Sequence, residues 1–218
     1  ELHAVSGIST IIENVRKCVE QAGIDPQERI LEPVATARAV LTQAERDLGV
    51  LLCDIGGGTT DIAAFIDDAI CYTAAVPVAG MAITRDLAKI LRVSVEDAEA
   101  LKCRYGAAIP EIVGEDDMLQ ITKADGVEQD RVPRQLVAEI MEARLTEIFK
   151  AVGNKLQAAD LPTLGGVVIS GGGSQAPGTA RLASRIFEDL PVRTSEPRNV
   201  EGLDQLVGNP IYATGVGL

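Results

Sequence analysis

The chain has 218 residues, 46% of them hydrophobic, and a formal charge of −12, enough apolar material for a globular core and the wrong sign for a nucleic-acid surface, where affinity comes from clustered Lys and Arg. With no Trp, three Tyr and three Phe, it also lacks the aromatic platforms on which single-stranded bases stack. One His and four scattered Cys without a C-x-x-C pair exclude a Cys/His zinc set and read as buried thiols of a reducing cytoplasm, and no run approaches the roughly 20 apolar residues of a membrane span.

In chain order, residues 2–5 read as the end of a strand. Residues 8–22 read as a helix with Ile8, Ile11, Ile12, Val15 and Val19 on one face, closed by Gly23. Ile30 and Leu31 read as a short apolar strand, Glu32 and Pro33 as a turn, and residues 35–41 as a helix of small residues suited to tight packing. A polar joint over 42–48 leads into the apolar run 50–53. Strands over 62–66 and 69–78, separated by Asp67 and Asp68, complete a β-meander about a glycine turn. Residues 81–155 change character, with three helical patterns, a Gly- and Asp-containing excursion at 106–131 and a long amphipathic helix at 134–152. The last part holds a buried strand at 166–170, a glycine turn at 171–173 and a helix at 179–187 preceded by Pro177. A short strand at 192–193 and a terminal helix from about 210 follow. A chain that opens at Glu1, within this pattern, reads as a piece of a longer protein.

The first glycine loop, Asp54-Ile55-Gly56-Gly57-Gly58-Thr59-Thr60-Asp61, has a strand on each side. A Walker loop needs a Lys and a following helix, and a Rossmann loop needs a third glycine where Asp61 stands, so neither fits. What fits is a β-turn-β whose residues without Cβ let backbone N–H groups close on phosphate oxygens. Asp54 at the strand end would repel phosphate directly, which makes a hydrated Mg²⁺ its natural partner. Thr59 offers a hydroxyl to a phosphate oxygen, and Asp61 a carboxylate that orients a metal-bound or attacking water. A hairpin whose glycines merely turn and whose aspartates merely cap explains the same letters, so the loop alone leaves both readings open. The second loop, Ser170-Gly171-Gly172-Gly173-Ser174-Gln175, leads from strand to helix. Gly171 and Gly172 would let a flat base lie against backbone with Gln175 at its edge, or the loop is an ordinary strand-to-helix turn.

Together, D-I-G-G-G-T-x-D at 54–61 and S-G-G-G at 170–173 resemble the second phosphate motif and the adenosine motif of the actin, sugar kinase and heat-shock chaperone ATPases. Glu32-Pro33-Val34-Ala35-Thr36-Ala37 resembles their first connecting motif, and residues 210–218 their second connecting helix, where small residues allow close crossing. Within that superfamily, residues 30–41, 98–106, 139–149 and 196–203 resemble the FtsA family of bacterial cell division, and the resemblance covers nearly the whole chain. It implies an α/β, actin-like (ribonuclease H-like) fold with an inserted helical subdomain. The implied parts are 1–25, the end of an insertion in the first lobe; 26–47, a piece of that lobe; 48–84 with 160–212, the nucleotide-binding core of the second lobe; 85–159, the inserted subdomain; and 213–218, a terminal first-lobe helix.

The resemblance further implies ATP and Mg²⁺ as cofactors, with at most slow hydrolysis. Glu32 would lie near the terminal phosphate and act with Asp61. Gly56, Gly57, Gly58, Thr59 and Gly80 would line the phosphates, Asp54 would anchor Mg²⁺ mostly through water, and Gly171, Gly172, Gly173 and Gln175 would take the adenosine. Ala79-Gly80 stands where many relatives have two glycines, which loosens one backbone approach. Glu99 and Lys102 would grip ribose and adenine, although the residues themselves read equally as a surface i,i+3 ion pair. By the same resemblance the acidic, apolar tail of the tubulin-like FtsZ docks on the helical subdomain, with Arg134, Arg144 and Lys150 as contacts. The alternative for those three is a solvated face balanced by Glu139, Glu142 and Glu147. Self-association into filaments, a peripheral place on the cytoplasmic face of the inner membrane at the division site, and membrane contact through a C-terminal helix outside this chain complete the expectation. Another actin-like filament, a pilus-platform protein, or a phosphotransferase of the sugar or acetate kinase type are the competing readings.

Overall fold

The apolar run 50–53 needs cover on both faces, and the strand that contains it, β1 (Val50–Ile55), is buried along its whole length. The computed structural model describes residues 3–188, 190–198, 200, 202 and 204–218. Leu2 of the expected strand, and Asn199, Glu201 and Leu203 of the stretch 196–203, lie outside them. β2 (Thr60–Ile66) pairs antiparallel with β1, and β3 (Ala69–Val76) antiparallel with β2. The turn between them sets Asp67 and Asp68 at φ 50° and 61°, the two positive values that a tight hairpin requires. β4 (Met118–Thr122) and β5 (Gln129–Pro133) form a separate hairpin. β6 (Val167–Ser170) runs parallel to β1 and β7 (Val192–Thr194) parallel to β6, giving a five-stranded sheet ordered β3-β2-β1-β6-β7.

The helices are α1 (Ser9–Gln21), α2 (Glu32–Val40), α3 (Gln43–Leu48), α4 (Gly80–Leu91), α5 (Val95–Tyr105), α6 (Arg134–Ala159), α7 (Thr179–Ser184), α8 (Asp204–Val207) and α9 (Ala213–Gly217). Alternation along β1 divides its side chains between two layers. Leu51, Cys53 and Ile55 enter the larger core with Ile83, Leu87, Leu101, Leu145, Phe149 and Val152 from α4, α5 and α6. Val50 and Leu52 face the other way, onto Ala37 and Val40 of α2 and Ala213 of α9. Asp54, two residues beyond Leu52, therefore points into the α2–α9 layer. There the two helices cross without room for a side chain: a Cβ on Gly217 would lie 1.7 Å from the carbonyl oxygen of Ala35.

Several local expectations change. Ile30 and Leu31 form no strand; Leu31 is the extended N-cap of α2, so Glu32 begins the helix with Pro33 behind it in the first turn. There its charge meets the positive end of the helix dipole. The polar joint at 42–48 contains α3, started by a capping box in which Thr42 and Glu45 satisfy each other's backbone N–H. The excursion at 106–131 holds strand β4 and most of β5, turned at Asp125-Gly126. No residue of α1 is buried, and its expected core face is exposed at Ile8, Ile11, Ile12 and Val15. Of the thiols read as buried, Cys53 is, whereas Cys18 and Cys103 are exposed and Cys71 is intermediate.

Candidate functional site

The first glycine loop is tied to the start of α4. The N–H groups of Gly80 and Met81 donate to the carbonyls of Gly56 and Gly57 at 3.1 and 2.7 Å. In a planar trans peptide the C=O of one residue and the N–H of the next point in opposite directions. The amides of Gly57 and Gly58 are thus turned away from α4, and neither reaches a backbone acceptor among the described residues. A Cβ on either glycine would meet nothing within 4 Å, and neither has a positive φ. Folding does not demand glycine at these two positions. At Gly80 there is less room, since a Cβ there would lie 3.2 Å from the Gly56 carbonyl oxygen.

Asp54 is 6% exposed. Thr36 Oγ1 donates to its Oδ2 at 2.8 Å. Burial holds the carboxyl above its ordinary pKa, with the charge of Asp61 acting the same way, against the hydroxyls of Thr36 and Thr214. Glu32 is also shifted up, by burial first and then by the charges of Asp61 and Asp54. Three carboxylates therefore share one region, and no Lys or Arg forms an ion pair with any of them among the described residues. Asp61 accepts a hydrogen bond from Thr59 Oγ1 at 3.0 Å, so that hydroxyl is directed along the hairpin.

On α5, Lys102 Nζ donates to Glu99 at 2.6 Å and to Thr84 at 2.9 Å, and the single hydroxyl proton of Thr84 has Glu99 and the Gly80 carbonyl as its two acceptors within reach. Burial opposes ionisation of Glu99, but the hydrogen bonds from Lys102 and Thr84 outweigh it and carry the pKa below its ordinary value. The pair spaced one helical turn apart thus also binds α5 to α4. In the second loop, Gly171 takes φ +79°, and a Cβ there would lie 2.3 Å from Asp54 Oδ1. A Cβ on Gly173 would lie 2.3 Å from Ile55 Cγ2, whereas at Gly172 the nearest atom is Ile211 Cγ2 at 3.5 Å. The Gln175 amide is held by Asn209, whose Nδ2 donates to its Oε1 at 2.6 Å.

These segments converge on one cleft of about 490 Å³. Its walls include Glu32, Asp54, Gly56, Gly57, Gly80, Glu99, Lys102, Gly171, Gly172, Gly173 and Gln175. Gly58, Thr59 and Asp61 are not among the lining residues, although Asp61 stands in register with Asp54 across the hairpin. The sequence reading missed Ile83, Met141 and Ile211, apolar walls from three separate elements, and the hydroxyls of Thr84 and Thr214. Among the described residues no three His, Cys, Asp or Glu side chains are placed to hold a metal ion by themselves. The unpaired oxygen donors at Glu32 and Asp54 nevertheless suit a hard cation that keeps most of its own water.

The three cations expected to meet a partner lie outside this cleft. Arg134 donates to the Tyr105 carbonyl at 2.8 Å and pairs with Asp117 at 3.3 Å. Arg144 grips Asp86 through two N–H groups at 2.7 and 3.0 Å and also pairs with Glu147. Lys150 is exposed. No helix of the described residues is long and apolar enough to cross a membrane.

Comparison with known proteins bears on what this cleft is for. The family described as "Cell division protein FtsA" matches residues 51–217. The chain is 40% identical to Cell division protein FtsA of Neisseria meningitidis serogroup B, over 100% of this chain and 53% of that protein. With the Pseudomonas aeruginosa protein of the same name it shares 40% identity, over 100% of this chain and 52% of the relative; the chain thus spans about half the length of the curated relatives it matches. Among solved structures, MreB5 of Spiroplasma citri bound to ADP superposes with a TM-score of 0.77 at 20% identity, covering 97% of this chain and 65% of that one, a likeness of fold. The matched family, the identity along the whole chain and the actin-like fold agree: the chain belongs to the FtsA family of cell-division proteins.

Proposed function

We propose that the cleft binds an adenine nucleotide together with Mg²⁺, as part of an actin-like cell-division protein that assembles in a nucleotide-dependent way. The observation that carries this reading is the pair Gly57 and Gly58. Their amides are unengaged, no neighbouring atom and no positive φ requires glycine there, and Gly57 lines the cleft beside Asp54 and Glu32. Backbone that is bare where folding does not need it bare suits close approach of a phosphate. The cleft volume falls within the range of small-molecule sites, and MreB5, of like fold, holds ADP.

In this reading Gly56, Gly57 and Gly58 receive the phosphates and Gly80 allows the chain to come close. Glu99 and Lys102 face the ribose and base, Gly171, Gly172, Gly173 and Gln175 flank the base, and Glu32 with Asp61 orients the attacking water. Mg²⁺, when bound, neutralises phosphate charge that the acidic chain would otherwise repel. Asp54 anchors it through water. Titration calorimetry with MgATP should show saturable binding that Asp54→Ala weakens about 10- to 100-fold, the usual loss for a group that orients a metal's surroundings. Absence of binding by the unsubstituted protein, or equal affinity in the variant, overturns the reading.

Docking of the FtsZ tail on the α4–α6 block, self-association into filaments and peripheral attachment at the division site are proposed on family membership. Of the three expected contacts, Lys150 is the freest to meet an acidic tail, since Arg134 and Arg144 are already paired.

A further inference from the structure

A short chain of hydroxyls lies between the sheet and the α2–α9 layer. Thr36 is fully buried in α2, and its Oγ1 is 2.8 Å from Asp54 Oδ2 and 2.9 Å from Thr214 Oγ1. A hydroxyl carries one proton. An ionised Asp54 only accepts, so Thr36 donates its proton there and must accept the proton of Thr214. Donation therefore runs from α9 through α2 to the carboxylate.

The other carboxylate oxygen faces the opposite way. Oδ1 lies against Gly171, so close that a Cβ would come within 2.3 Å of it. Ser170, the register partner of Asp54 on β6, shares its face of the sheet by alternation, yet its Oγ is buried and makes no hydrogen bond. The side-chain donors that act on Asp54 come from the helices and not from the adjacent strand. The terminal torsion of an Asp is broad, so without those donors the plane of the carboxylate is free to turn.

We propose that Thr36 and Thr214 are positioning residues for the cleft: Thr36 holds one carboxylate oxygen of Asp54, Thr214 holds Thr36, and together they fix the plane of the carboxylate so that its other oxygen is kept toward the space where a hydrated cation and a phosphate would meet. The proposal rests on the nucleotide reading above. Because the two hydroxyls come from helices whose backbones touch at Ala35 and Gly217, the orientation of Asp54 depends on that crossing being kept.

The test uses the full-length protein with Thr36→Val and Thr214→Val, which keep shape and remove the hydroxyl, and with Thr36→Ser and Thr214→Ser, which keep the hydroxyl. ATP affinity is measured by calorimetry across a Mg²⁺ titration and in EDTA, alongside thermal melts. The valine variants should need about 10- to 100-fold more Mg²⁺ for half-maximal enhancement of binding, with affinity in EDTA unchanged and the serine variants close to wild type. Valine variants with an unaltered Mg²⁺ dependence, or serine variants as impaired as valine, overturn the proposal. If Thr36→Val does not fold, Thr214→Val decides, because Thr214 is only partly buried. Wild-type protein that binds no MgATP defeats the nucleotide reading, and this proposal with it; normal wild-type binding with unaffected valine variants defeats this proposal alone.

Discussion

The two glycine loops look alike as text and differ in what constrains them. At 171 and 173 a Cβ would collide with Asp54 and Ile55 of the neighbouring strand, and Gly171 also has a positive φ. These glycines let β6 turn tightly over the end of β1. At 57 and 58 a Cβ would meet nothing within 4 Å, and neither φ is positive. The first loop is bare for something outside the fold; the second is bare chiefly for the fold itself, with Gly172 as its open position.

The largest effect that would break this contrast is on stability. Gly171→Ala combines backbone strain with a clash of 2.3 Å and should cost about 3 kcal/mol or more in chemical denaturation. A loss below about 1 kcal/mol would mean that the loop can shift and is not held by β1. Next in size, Gly57→Ala and Gly58→Ala should stay within about 0.5 kcal/mol of wild-type stability. Each should nevertheless weaken MgATP binding about tenfold, the worth of one displaced hydrogen bond. Unfolding of these variants, or unchanged affinity, would erase the distinction between the loops.

The smallest effect is a pH dependence of opposite sign at the two ends of β1. Glu32 and Asp54 have raised pKa values in the fold, so the native state holds protons that the unfolded chain releases. Their contribution to stability is full below the unfolded pKa near 4 and fades as pH rises through the folded values. Glu45 behaves oppositely. Burial disfavours its charge, yet two N–H groups of Arg193 at 2.6 and 2.8 Å and the Thr42 backbone and hydroxyl lower its pKa to about 2. Its contribution is present above about pH 4.5 and is lost as pH falls toward about 2. Denaturation between pH 3 and 7, at roughly the carboxylate range, should show that Glu45→Gln flattens the acid loss and Glu32→Gln flattens the gain on acidification. The same slope in both variants would contradict the assignment.

Much of the fold was legible because its signals are local. The apolar run 50–53 read as a strand and forms the buried β1, and Asp67-Asp68, read as the break between two strands, is their turn. Two signals were present and went unread: T-x-x-E at 42–45, which starts α3, and Asp125-Gly126, which turns the β4–β5 hairpin. The face of α1 was read correctly as apolar, but periodicity says nothing about whether an apolar face is covered, and here it is exposed.

By itself the sequence determined the strand and helix periods, the glycine positions and the acidic residues that flank them, since each depends on neighbours a few places away. Tertiary structure decided which glycines are obligatory and that Glu32, Asp54, Lys102 and Gln175 share one cleft. It also decided that Thr36 and Thr214, 178 positions apart, act on a single carboxylate. A clash or a hydrogen bond between distant residues depends on how the sheet and helices pack, and no pattern of spacing along the chain encodes that distance.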